Sequence, residues 1–143
     1  RSQAAVLTQW GGSTISWKSY RQSLTTCSTC ESELIAVCDS LECSRCIQLL
    51  LSEMCFDLCP QRVELLCDNQ ASVTQIIKHA DCPLRSRHIS IRGSRVSEAV
   101  AEGTATIGWV NTTQQRADYL TKPAPRGMKD SALKALGMKA SSL

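Results

Sequence analysis

The chain lacks an apolar run long enough to cross a bilayer. Its densest stretch, "IQLLLSEMCF", breaks at Glu53, well short of the ~18 residues a membrane helix requires. A charged-then-apolar signal peptide is also missing. These absences lead us to expect an intracellular protein, in cytoplasm or nucleus, with no membrane partner. Strong net charge is missing too. At +3 over 143 residues, a nucleic-acid surface has to be a local basic cluster rather than a global excess. Residues 1–30 contain no Asp or Glu, so no catalytic carboxylate can come from that stretch. No internal repeat is present. The length suits a single domain, and the opening "RSQAAVLTQWGG", without Met, is what a piece of a longer polypeptide would show.

Cysteine is in excess. Nine is an odd count, so at least one thiol has no internal partner, and a reducing compartment is the simpler setting. In "CSTCESELIAVCDSLECSRC", residues 27–46, two Cys-x-x-Cys pairs stand close to zinc-ribbon spacing. The same stretch carries the period of a helix. No Pro or Gly occurs from Ser28 to Phe56, and Leu34, Cys38, Leu41, Ile47, Leu50, Leu51 and Met54 recur as one apolar stripe. On such a helix Cys30 and Cys43 lie roughly 20 Å apart at ~1.5 Å per residue. Four thiolates around one zinc each sit about 2.3 Å from the metal, so the helix argues against a shared ion. Cys38 and Cys55 are expected on the buried face as small hydrophobes.

Around this helix the pattern alternates strand and helix. Residues 4–9 and 13–18 are β-favouring runs joined by Trp10, Gly11 and Gly12, the signal of a hairpin. Ser28 or Thr29 caps the long helix. "RVELLCD", 62–68, reads as a central strand covered on both faces, because Leu65 and Leu66 break strict alternation. Asp68 stands at its end. A helix then begins at or near Asn69, Pro83 enforces a loop, and a further helix runs from about Arg87 to Glu102 despite Gly93, stopping at Gly103. "TATIGWVN" is the next strand, "TTQQRADYLTK" a short helix, and "MKDSALKALGM" a last one. The order argues an α/β fold with a mixed sheet flanked by helices, over residues 1–138, with 139–143 a frayed tail.

Glu33, Asp68 and Asp118 each have a bland reading: a first-turn dipole complement, a helix N-cap and a solvated helix residue. Taken with their surroundings they form a pattern. "GGSTISWKSYRQS", "STCESELIAV", "CDNQASV", "RSRHISIRGSRV" with "VAEG", and "ADYLTKP" followed by "LGM" resemble, in order and spacing, the ribonuclease H domain of copia-type retrotransposon Pol polyproteins. The resemblance runs from about Ser2 to Met138.

That resemblance implies a ribonuclease H-like fold and hydrolysis of the RNA strand of RNA/DNA hybrids beside an adjoining reverse transcriptase domain. Such enzymes hold two Mg²⁺ ions, with Mn²⁺ as a substitute, on clustered carboxylates. Carried over, Glu33 matches the family's helix glutamate, Asp68 the aspartate ending the central strand, and Asp118 the aspartate of the last motif. Glu31 is a neighbour and not a ligand. The family's first aspartate lies on a leading strand upstream of the point where this chain starts. The chain is thus expected to lack its first strand and one of four metal ligands, and to cleave little or nothing alone. No histidine precedes Asp118 in "VNTTQQRAD", so none is assigned a catalytic role.

Arg85, His88, Arg92 and Arg95 recur at spacings of three and four, which places them on one helix face. A ridge of this kind would follow phosphates without reading sequence; its bland counterpart is a solvated face. Arg87, within "RSRHI", keeps the family's basic charge beside His88. Asn69 and Gln70 are candidate hybrid contacts, and Lys18, Arg21 and Gln22 weaker ones. Two other readings stay open beside the nuclease. One is a noncatalytic remnant or nucleic-acid-binding module; the other is a cysteine zinc module.

Overall fold

A computed structural model describes residues 2–23, 26, 28–54, 57, 59–78, 87–121, 132–134 and 136–138. The hairpin signal is realised as strands β1 (Gln3–Trp10) and β2 (Ser13–Arg21), paired antiparallel. Gly11 and Gly12 turn the chain at φ +58° and +80°, the left-handed region that a glycine enters without a Cβ clash. Helix α1 (Thr29–Met54) follows, and the Ser28 hydroxyl accepts from the Glu31 N–H at 3.1 Å as its cap.

Strand β3 (Val63–Cys67) leads into α2 (Gln70–Ile77), then α3 (Arg87–Ala101) and β4 (Ala105–Trp109). α3 ends as its glycine requires. Gly103 sits at φ +73°, and the Gly103 and Thr104 N–H groups reach back to the Val100 and Ala99 carbonyls at 3.1 and 3.0 Å, the paired bonds of a Schellman cap. Gly93 is inside α3 for a packing reason: a Cβ there would stand 3.1 Å from Leu34 Cδ2. The expected helix over "TTQQRADYLTK" is instead two short 3₁₀ turns, Thr112–Gln114 and Arg116–Leu120. Only 132–134 and 136–138 of the last expected helix are described, the first three being helical; the tail 139–143 lies outside the described residues.

The core is built on α1. Leu34, Ile35, Val37, Cys38 and Leu41 pack with Val63, Leu65 and Cys67 of β3, Val73 and Ile76 of α2, and Val96 and Ala99 of α3. The Cys38 thiol is one of these apolar groups, and burial pushes its pKa up to about 11. Two expectations are corrected. Leu66 is 53 % exposed and Glu64 is exposed, while Val63, Leu65 and Cys67 are buried, so β3 is covered on one face and not on both. The single mixed sheet is, among the described residues, two sheets of two strands: antiparallel β1–β2 and parallel β3–β4. The architecture is mixed α/β with small sheets, and α1 packs against both β1 and β3. Among the described residues no helix is long and apolar enough to cross a membrane.

Candidate functional site

Asp68 follows the last residue of β3 and Asn69 caps α2, its Oδ1 accepting from the Ser72 N–H at 3.1 Å. This strand-to-helix turn holds Asp68 in a fixed position. Glu33 lies in the first turns of α1, whose packing on β3 brings it to the same place. Ligand atoms of Glu33, Asp68 and Cys67 all fall within 4.8 Å of one another, the one such group among the described residues.

The electrostatics follow from that crowding. Burial first, then the negative charges of Asp68 and Asp118, hold the Glu33 carboxyl above its ordinary value. Asp118, on the turn Arg116–Leu120, therefore acts on the same locus, although it is not in the tight group. Cys67 is the member that sequence reasoning missed. Only 2 % of it is exposed, and burial pushes its thiol up to about 11, so at neutral pH it is a protonated neighbour. The signal was available: in a strand of period two, position 67 shares a face with Val63 and Leu65. Trp109 was missed too. It pairs with Cys67 across the parallel ladder, is 52 % exposed, and its indole N–H donates to the Asp68 carbonyl at 3.0 Å.

The basic candidates are distributed differently. Arg92 donates to Asp39 at 3.0 Å and Arg95 to Glu42 at 2.6 Å. Both acids are on α1, so the ridge of α3 is partly turned onto its neighbour. The Tyr20 hydroxyl also donates to Asp39. Arg85 lies outside the described residues, as do the side chains of Arg87 and His88. Gln70 is exposed at the start of α2. Gln22 is 2 % exposed and donates to the Ser32 carbonyl at 2.8 Å, a buried structural contact. Lys18 sits 4.6 Å from the centre of the Tyr20 ring, a cation–π contact.

Among the described residues the cysteines of the two pairs do not converge. Cys30, Cys43 and Cys46 stand on the one continuous helix α1, and the Cys30 sulfur meets the Ser72 hydroxyl at 3.2 Å. Cys27, Cys55 and Cys82 lie outside the described residues.

No family model matches the chain, and no solved structure matches it. Curated proteins do. The chain is 28 % identical over 125 residues, 87 % of its length, to the Transposon Ty1-JR2 Gag-Pol polyprotein of Saccharomyces cerevisiae. The Ty1-MR1 and Ty1-NL1 Gag-Pol polyproteins of the same organism match at the same identity and coverage. The chain spans 7 % of the length of these relatives. Over these residues the chain is similar to a region of retrotransposon Gag-Pol polyproteins.

Proposed function

We propose that the chain is the ribonuclease H region of a copia-type retrotransposon polyprotein, acting on the RNA strand of RNA/DNA hybrids beside a reverse transcriptase domain. The observation that carries this reading is the convergence of Glu33 and Asp68 within 4.8 Å, with Asp118 close enough to raise the Glu33 pKa. Carboxylates forced together at the end of a strand repel one another, and that repulsion is relieved by a hard divalent cation. The donor set therefore fits Mg²⁺ or Mn²⁺, with Glu33, Asp68 and Asp118 as the residues that would hold it. When bound, such ions supply activation of the attacking water and stabilisation of the leaving oxygen.

The chain's own residues set the rest. The Asn69 cap and the Trp109 indole bond hold the Asp68 backbone, fixing the direction from which that carboxylate acts. The exposed Trp109 ring beside it offers a face on which a base can stack. Gln70 is exposed at the start of α2, two positions after Asp68. Arg85, Arg87 and His88 are the proposed phosphate contacts, and Arg92 and Arg95 of α3 join them only by exchanging Asp39 and Glu42 for phosphate.

The absence of any acid in residues 1–30 favours a second reading for the chain by itself: a noncatalytic remnant that binds hybrid without cutting it. One experiment separates the two. A protein carrying the residues that precede this chain in its parent reading frame is incubated with labelled RNA/DNA hybrid and Mg²⁺. Cleavage that disappears in Asp68→Asn supports the nuclease; hybrid binding without cleavage in the lengthened protein supports the remnant.

A further inference from the structure

The hairpin β1–β2 turns one face to α1, where the Tyr20 hydroxyl donates to Asp39, and the other face outward. Side chains alternate along a strand, so Trp17, Ser19 and Arg21 of β2 share the outward face, and all three are exposed. The turn Arg116–Leu120 lies across it, tied at two points. The Ser19 hydroxyl donates to the Leu120 carbonyl at 2.8 Å, and the Arg116 guanidinium donates to Gln9 Oε1 at 2.7 Å. In the register of the hairpin the pairs Ala5↔Ser19, Leu7↔Trp17 and Gln9↔Thr14 succeed one another on this face. Trp17 therefore stands at the rung between the two ties, alongside the turn, and Tyr119 is exposed on the turn itself.

One Phe, three Trp and two Tyr are all the aromatic residues of the chain, and on this face Trp17 is 58 % and Tyr119 40 % exposed. An indole left in water forgoes the burial that most tryptophans reach. The charge around the rings is of one sign. Arg21 and Arg116 are exposed, and residues 1–30 contain no acid. The ion pairs among the described residues lie elsewhere, joining Arg92 to Asp39 and Arg95 to Glu42. Arg116 keeps further N–H donors beyond its bond to Gln9. The one acid of the turn is Asp118, between Arg116 and Tyr119, so this face borders the carboxylate cluster.

We propose that the outward face of the hairpin is a platform for single-stranded nucleic acid. Unpaired bases stack on the Trp17 and Tyr119 rings, and Arg21 and Arg116 hold the phosphates between them. Stacking of this kind tolerates any base, because every base has a flat face, and guanidinium groups follow the backbone without reading sequence. A duplex keeps its base faces inside its own stack and cannot use the rings in this way. The ligand is a single-stranded polynucleotide, RNA or DNA, that runs past Asp118. The inference deepens the nuclease reading by giving the hybrid a single-stranded extension, but the binding itself requires neither metal nor cleavage and is tested without them.

Fluorescence anisotropy of the 143-residue chain with labelled oligo(U) and oligo(dT) of about 12 nucleotides, in EDTA, provides the test. Affinity should fall by about 5- to 150-fold in Trp17→Ala, fall similarly in Tyr119→Ala, and be largely recovered in Trp17→Phe and Tyr119→Phe. Arg21→Gln and Arg116→Gln should each lower the slope of log affinity against log salt by about 0.7. Thermal unfolding of these variants should stay near that of the parent, because the substituted side chains are exposed. The tighter of the two oligonucleotides identifies the strand the platform prefers. Unchanged affinity in both Trp17→Ala and Tyr119→Ala overturns the proposal. So does an abasic strand of the same length that binds as tightly as oligo(dT), or a blunt RNA/DNA duplex that loses as much affinity in Trp17→Ala as the single strands do. Single-strand binding that persists where no hybrid is cleaved keeps the platform and removes the nuclease reading.

Discussion

Glu33 on α1 and Asp68 beyond the end of β3 place carboxylate oxygens within 4.8 Å of each other and of the Cys67 sulfur. The arrangement costs the protein stability, because charge is concentrated in a partly buried place. Four expectations follow from this cluster and from the packing that creates it.

The first is a pH dependence. Burial and the charges of Asp68 and Asp118 raise the Glu33 carboxyl above 4.5. Between that value and the raised one the folded state keeps a proton that the unfolded chain has released, so stability falls as pH rises through the window. Glu33→Gln removes the penalty. Thermal unfolding should show the variant more stable than the parent at pH 7, with the advantage gone below about pH 4. Equal stability at both pH values would contradict the crowding.

Divalent cations should reverse the same penalty. Added Mg²⁺ or Mn²⁺ is expected to raise the melting temperature with concentration, by about 2.7 kcal/mol of stability at 100 times the dissociation constant. Asp68→Asn should abolish the response. Cys67→Ser should leave it intact, because the thiol, pushed up to about 11, stays protonated and offers a hard cation little. A Mg²⁺ response lost in Cys67→Ser but kept in Asp68→Asn would reassign the ligands.

A third expectation concerns the contact between helices. With Leu34 1 % exposed and only 3.1 Å from the place a Cβ would take on Gly93, the interface has no spare room. Leu34→Ala should cost about 2–5 kcal/mol, and Gly93→Val about 1–3 kcal/mol by overpacking, both read by denaturant unfolding. A Gly93→Val protein as stable as the parent would mean that α3 does not press on α1 there.

Asp39 is the polar tie between the hairpin and the two helices, accepting from both Tyr20 and Arg92. Burial and this carboxylate push the Tyr20 hydroxyl well above its usual range. Asp39→Ala leaves two donors without their acceptor and should cost about 1–3 kcal/mol. Arg95→Ala, which breaks the exposed pair with Glu42, should cost at most about 1 kcal/mol. If the two substitutions are equally mild, Asp39 is not a tie at all.

Local chemistry made several features legible in advance. The Gly11–Gly12 turn, the Ser28 cap and the Gly103 stop are each fixed by one or two residues and their immediate backbone, and each is found where expected, whereas the cap of α2 falls on Asn69 and not on Asp68. Other features depend on what lies opposite. "VELLC" reads as a strand from either side, and only the partner elements decide that Leu66 faces outward. The 3.6-residue period puts Arg92 and Arg95 on one face of α3 without revealing that Asp39 and Glu42 wait across the interface. Cys67 had no chemistry assigned to it, and its closeness to Glu33 depends on how α1 crosses β3.

The sequence by itself determined which segments become helices and strands and which carboxylates are available, because periodicity, caps and glycine positions act over a few residues. Only the tertiary structure decided that Glu33 and Asp68 meet, that two of the arginines are paired, and that β1 and β3 stand in separate sheets among the described residues. Those outcomes depend on distances between residues far apart in the chain, which packing on α1 sets and local propensity does not.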